Sequence, residues 1–242
     1  MAQRVALVTG GAVRLGRAIT LGLAEAGFDL VIHYRSSEGP ARQVVRDVEA
    51  MGRGAVLAAG DLADPAVADS VAEAARAGYG RLDLVVNSAA SFEKGRLLDV
   101  DAEAWDAVMD LNVRAPHLVV RATAPLLRDS RGSVVNLVDL SAYRPWTGFP
   151  AHAVSKAALA HLTRIQARAL APDVRVNAIA PGAVLPPEDE TPEGLETLRR
   201  MTPLGRLGDP SDVVRAVLYL ADAPYVTGQI LAVDGGRLLG SF

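Results

Sequence analysis

His152 and Lys156 stand four residues apart at the start of a stretch with helical periodicity, so their side chains share one helix face. A histidine ordinarily titrates near pH 6.5 and can hand over a proton at neutral pH. A lysine is a compact positive charge whose pKa responds to its surroundings. Lysine is also scarce: among 25 Lys and Arg residues only Lys94 and Lys156 are lysine. Lys94 reads as a solvated loop residue, whereas Lys156 marks a place where a point charge is wanted. Asp139 is a further acid upstream. Three readings of this set stay open. His152 donates a proton directly; Asp139 donates it, directly or through water; or the set belongs to an inactive site. Asp139 also has a structural reading as a cap ahead of Ser141.

A second chemistry is anion binding. Thr9-Gly10-Gly11-Ala12-Val13-Arg14-Leu15-Gly16 joins the first apolar run to the first helical pattern. Glycine lets a chain turn sharply and approach a pyrophosphate, whose charge suits the free N–H groups of a helix start. The G-x-G-x-x-G spacing is absent; Gly10 and Gly16 are its outer glycines, and Arg14 stands near the middle one. Nucleotide-binding chains that take NAD place an acid after the second strand, and those that take NADP place basic groups there. Here the run is His33-Tyr34-Arg35-Ser36-Ser37, with no acid before Glu38. Arg35 can fork to a phosphate and Ser36 can donate to it, so NADP(H) is expected. The plain alternatives are a ligand-free turn and a solvated arginine. Phe92 and Trp146 are candidates to stack on a flat heterocycle, or are wall and core. Arg14 can serve both a cofactor phosphate and the substrate. His33, His117 and His161 show no metal-ligand spacing, and no metal is expected.

These groups need a scaffold. Val5–Thr9, Leu30–Tyr34, Ala55–Ala59, Leu82–Asn87, Ser133–Leu137, Arg175–Ile179 and Ile230–Val233 are short apolar runs that read as strands covered on both sides. Between them lie amphipathic stretches at Leu15–Ala26, Ala41–Met51, Pro65–Gly78, Ala102–Leu127, Ala151–Ala171 and Ser211–Ala221. The alternation predicts an α/β fold: a doubly wound, Rossmann-like parallel sheet of about seven strands, with helices on both faces. One domain over residues 1–242 is expected, without linker or repeat. The Pro-rich, acidic stretch Ala183–Gly194 reads as a binding loop or a surface insertion.

Composition narrows the function classes. Half of the 242 residues are hydrophobic and the net charge is −3, which gives no electrostatic case for nucleic acid or an anionic membrane. There is no cysteine, which excludes disulfides and thiolate metal sites. No signal peptide or membrane span is read, so a soluble cytoplasmic protein is expected.

With these motifs in order, the chain resembles the short-chain dehydrogenase/reductase family over nearly its whole length. Thr9-Gly10…Gly16 is similar to its phosphate turn. Asp61-Leu62 resembles the aspartate that holds the adenine amine. Asn87-Ser88-Ala89-Ala90 resembles its Asn-Asn-Ala-Gly stretch. Asn112 sits at the helix asparagine, Lys156 at the catalytic lysine, and Pro181-Gly182 after the sixth strand. The resemblance implies that Lys156 holds the nicotinamide ribose and tunes the proton donor, and that Asn112 supports a water relay. The departure is that the family's Tyr-x-x-x-Lys reads His152-Ala153-Val154-Ser155-Lys156, with Tyr143 off the spacing.

A narrower resemblance is to pteridine reductases. It rests on Arg14, on His33-Tyr34-Arg35-Ser36, on Ala90-Ser91-Phe92, on Asp139 in place of a serine, and on Asp234-Gly235-Gly236-Arg237-Leu238. Ala90 replaces a serine of that group, and the Thr often found after Pro-Gly is absent. The resemblance implies an NADPH-dependent reductase of a pterin- or folate-like substrate, contacted by Arg14, Ser91, Phe92, Asp139 and Trp146. Two other expectations stand beside it: a carbonyl reductase or alcohol dehydrogenase of the same family, and a non-catalytic NADP-binding regulatory protein. Ala102–Leu127 and Ala151–Ala171 carry apolar residues on more than one face. The family pairs these helices, and its last strand, across two-fold axes, so a homotetramer or at least a dimer is expected.

Overall fold

The computed structural model describes residues 3–186 and 190–240. Seven parallel strands form one sheet in the order β3-β2-β1-β4-β5-β6-β7. They are β1 (Arg4–Thr9), β2 (Phe28–Tyr34), β3 (Ala55–Ala59), β4 (Leu84–Asn87), β5 (Ser133–Leu137), β6 (Arg175–Pro181) and β7 (Ile230–Val233). The central strands are largely apolar because both faces are covered. Successive side chains in β1 alternate: Ala6 and Val8 enter one core cluster, Val5 and Leu7 the other.

The helices are α1 (Arg14–Glu25), α2 (Glu38–Ala50), α3 (Pro65–Tyr79), α4 (Ala102–Met109), α5 (Ala115–Ser130), α6 (Pro150–Leu170), α7 (Pro192–Arg200) and α8 (Pro210–Asp222). One face of the sheet is covered by α1, α2 and α8 through Ile19, Leu23, Val44, Val48, Val213 and Val217. The other is covered by α3, α5 and α6 through Val71, Ala75, Val119, Leu127 and Ala167. A third cluster, with Val138, Leu140, Leu159 and Ala178, lies under the start of α6.

Two elements differ from the sequence reading. The stretch Ala102–Leu127 is not one helix: a π turn over Asp110–Arg114 separates α4 from α5. Pro116 has no N–H to offer the Asn112 carbonyl, so regular i→i−4 bonding cannot pass that point. The irregular stretch Ala183–Gly194 runs into α7, where the Thr191 side chain accepts from Gly194 N (3.0 Å) and Pro192 opens the first turn. Within that stretch, residues 187–189 lie outside the described residues. Among the described residues no helix is long and apolar enough to cross a membrane.

Candidate active site

The strand order reverses between β1 and β4, and in such sheets the crevice beyond the strand ends is where ligands bind. Two cavities sharing Arg14, Leu15, Ser88 and Ala90 occupy it, one of about 530 Å³ and one of about 760 Å³.

The smaller cavity surrounds the phosphate turn. Gly10 has φ +63°, and a Cβ there would lie 3.1 Å from Ala89 Cα. At Gly16 a Cβ would lie 2.1 Å from the Gly10 carbonyl oxygen, so only glycine fits. Thr9 Oγ1 accepts from Ser88 N and Ala89 N at 2.9 and 3.1 Å, tying the turn to the end of β4. Val13 at the start of α1 supplies no side-chain cap, and no acid occupies the first turn. The helix's first N–H groups are therefore free for an anion, beside Leu15 and Gly16.

His33 lines this cavity, yet both ring nitrogens serve the protein. Nδ1 accepts from Gly10 N (3.2 Å) and Nε2 donates to the Gly60 carbonyl (3.0 Å). Burial pushes its pKa down, against the Gly60 bond and the Asp61 charge. A neutral ring holds the turn against β2 while His33 borders the cavity.

Tyr34, Arg35, Ser36, Asp61 and Leu62 line the far end. Arg35 Nη1 lies 3.6 Å from Asp61 Oδ2, both exposed. Ser37 precedes α2 without capping it, which leaves a second open helix start there. Asn87 turns away from the crevice: its Nδ2 donates to Asn136 Oδ1 (2.8 Å), and Asn136 reaches Thr163 on α6 at 2.9 Å. It joins β4 and β5 to α6, while Ser88 and Ala89 face the cavity.

The larger cavity holds the proton-bearing groups. Asp139 follows β5 and does two things at once. Its Oδ1 accepts from Ser141 N (2.8 Å) and from the Ser141 hydroxyl, and its Oδ2 meets His152 Nε2 at 2.6 Å. His152 Nδ1 lies 2.9 Å from the Ser91 carbonyl oxygen. Both imidazole nitrogens thus face oxygen acceptors, and a neutral ring has only one N–H. Burial works to raise the Asp139 carboxyl. The bonds from His152 and Ser141, with the charges of His152 and Lys156, outweigh it and hold the carboxyl below the ordinary carboxylate range. An ionised Asp139 can accept from Nε2, and the Ser91 carbonyl can accept from Nδ1. The His152 side chain is 3% exposed and that of Asp139 19%, so Asp139 is the end open to the cavity.

Asn112 is buried in the π turn. Its Oδ1 accepts from Ser91 N (2.8 Å), and its Nδ2 donates to Ser91 O (3.1 Å) and Ser155 Oγ (2.9 Å). Its side-chain polar atoms clamp the Ser91 backbone that faces His152. Ser91 was expected against the substrate; it does not line the larger cavity and acts through its backbone. Lys156 is buried, donates to the Leu137 carbonyl (2.8 Å) and lines the cavity; burial pushes its pKa down, against the charge of Asp139.

The mouth is aromatic. The Phe92 ring stacks on Phe149 (centroids 4.1 Å apart, 25° between planes) and meets His152 edge-on at 4.6 Å. Trp146 lies 6.4 Å from His152, nearly parallel. Phe149 escaped the sequence reading; its position directly before Pro150, the opening residue of α6, was the available signal. Arg14, at φ +49°, donates to the Leu185 and Pro186 carbonyls at 3.1 and 3.3 Å and spans the crevice. Pro181 and Gly182 close the side beyond β6.

The family described as enoyl-(acyl carrier protein) reductase matches residues 11–237. An uncharacterised oxidoreductase of Mycobacterium tuberculosis is 39% identical, over 97% of this chain and 92% of its own length. An L-rhamnose 1-dehydrogenase (NAD(P)+) of a Sphingomonas species is 33% identical, over 96% and 95%. A 3-oxoacyl-[acyl-carrier-protein] reductase of Synechocystis is 31% identical, over 99% and 98%. Among solved structures, a blue fluorescent protein from a metagenomic library, in complex with NADPH, has TM-score 0.90 and 34% identity, with 97% of each chain covered. Sequence match, sheet order and a crevice built on the phosphate turn agree: the chain belongs to the short-chain dehydrogenase/reductase family.

Proposed function

We propose that the protein reduces a ring C=N bond of a pterin- or folate-like substrate with NADPH. At the coarser level it is an NAD(P)-dependent oxidoreductase, and NADP(H) is the cofactor. The residues present fit that group: Gly10, Leu15, Gly16 and the uncapped α1 suit a pyrophosphate, and Arg35, Ser36 and the open start of α2 suit a 2′-phosphate. Ser88, Ala89, Pro181, Gly182 and Lys156 border the nicotinamide end, and Asp61 with Leu62 the adenine end.

The bound cofactor supplies a hydride. This chain supplies the proton and the orientation. Ser91 O keeps the Nδ1–H of His152 in place, so Nε2 is the nitrogen that releases and regains a proton. Nε2 gives its proton to the Asp139 carboxylate at Oδ2, and Oδ2 passes that proton on to a substrate nitrogen; the carboxylate is regenerated and the ring ends neutral with Nδ1–H intact. Solvent then restores the proton. Lys156 stabilises the carboxylate side of the exchange from within the buried floor. Phe92 and Trp146 offer flat faces to a heterocycle.

The observation that carries this reading is the 2.6 Å bond between Asp139 and His152 beneath an aromatic mouth. A second reading, carbonyl reduction or alcohol oxidation, is favoured by relatives named for 3-oxoacyl and sugar substrates. An NADPH-oxidation screen separates them: turnover of dihydropterin or dihydrofolate without turnover of small ketones supports the first, and the reverse pattern replaces it. We infer further that copies assemble into a tetramer or at least a dimer, with α6 leaving Val154 and Ile165 exposed.

A further inference from the structure

Arg237 lines the larger cavity, which Phe92 and Trp146 also line, and sequence reading gave it no role. It opens the short 3-10 turn Arg237–Leu239 that follows β7. That turn is fixed by its neighbours. Asp234 Oδ1 accepts from Gly236 N (2.8 Å), and Oδ2 accepts from Leu238 N (2.7 Å). Gly235 and Gly236 supply the positive φ values that such a return needs, +64° and +89°. From the Asp139 side, Arg144 donates to the Leu238 carbonyl at 2.6 Å and locks the turn against the active-site loop.

The result is a guanidinium on a fixed backbone, with the Asp234 charge nearby but no carboxylate paired to it among the described residues. Asp234, the nearest carboxylate, has each oxygen engaged by a backbone N–H. Among the described residues, no side-chain hydrogen bond or ion pair joins Arg237 to an acceptor. Arg144 is a second positive charge close by, and burial pushes the Arg237 pKa down. The cavity's own carboxylate, Asp139, is committed to His152 and Ser141. A half-buried guanidinium stays charged and needs an acceptor; its fork geometry suits a carboxylate best.

We propose that the substrate of this site carries a carboxylate, received by Arg237 in the cavity that Phe92 and Trp146 also line. This rests on the reading of the larger cavity as the substrate site, and it adds a requirement that the C=N assignment does not contain. The substrate class becomes a flat ring bearing an acidic group, rather than a neutral heterocycle.

Benzoate and benzamide test it directly, because they share ring and size and differ in charge. Binding to the NADPH-loaded protein is measured by calorimetry. Benzoate should bind about tenfold or more tightly than benzamide, Arg237→Gln should remove that preference, and Arg237→Lys should keep part of it. Equal affinities in the parent protein, absence of benzoate binding at millimolar concentration, or a preference that survives Arg237→Gln would each overturn the proposal. The two readings fail separately. Dihydropterin turnover without a benzoate preference sinks the carboxylate site alone. A benzoate preference that depends on Arg237, in a protein that reduces only ketones, sinks the C=N reading alone.

Discussion

His152 has an oxygen acceptor at each ring nitrogen, Ser91 O at Nδ1 and Asp139 Oδ2 at Nε2. On the proposed reading the two side chains act as one acid. His152→Gln keeps size and a polar contact but removes the transferable proton, and reduction should slow by about 10²–10⁴-fold. Asp139→Asn should cost a similar factor, and the double variant should be no worse than either single one, because members of one unit are not additive. Single-turnover rates with bound NADPH measure this; additive losses would show two independent roles. At the other end of the crevice, Arg35→Ala should remove most of the preference for NADPH over NADH, about tenfold or more, as read by titration calorimetry. The pair of acids was legible from residue types and from the four-residue spacing of His152 and Lys156. Their bonding was not: the Ser91 carbonyl that orients the ring belongs to a backbone segment 61 residues away, and side-chain identity says nothing about it.

At the scale of elements, the phosphate turn depends on close backbone approach. A methyl at Gly16 would meet the Gly10 carbonyl at 2.1 Å, so Gly16→Ala must push α1 away from the turn. NADPH affinity should fall by about 100-fold or more, since both the helix-start N–H groups and the turn move together. A binding isotherm that matches the parent protein would contradict this. The strands were legible because each is a short apolar run, and the central ones are β-branched and buried on both faces. The break in Ala102–Leu127 was not, because apolar periodicity carries smoothly through Asp110–Arg114 while the hydrogen-bond pattern changes underneath it. That break is what turns Asn112 inward to hold Ser91. The start of α7 did leave a signal, Thr191-Pro192-Glu193, which a proline-rich surrounding obscured.

For the whole molecule, the doubly wound order places the two cavities side by side at the reversal between β1 and β4, so one crevice has room for a cofactor and a substrate. The outward face of α6 exposes Val154 and Ile165, and the α8 end exposes Tyr219 and Tyr225. Surfaces of this kind are covered when copies pair. Light scattering at micromolar concentration should report a dimer or tetramer, and Ile165→Asp should shift it toward smaller species; a monomeric parent protein would remove the assembly from the account.

The most direct test of the proton pair is the pH dependence of NADPH-driven dihydropterin reduction in the parent protein and in His152→Gln. Asp139 is held below the ordinary carboxylate range, so across the neutral range it has no proton of its own and must draw one through its bond to His152; reduction that needs a proton donor slows as pH rises. The account predicts a parent rate that declines with rising pH, and a variant that is slow throughout and lacks that decline. A parent rate independent of pH across the neutral range, or a variant that reproduces the parent's profile at the parent's rate, would contradict it.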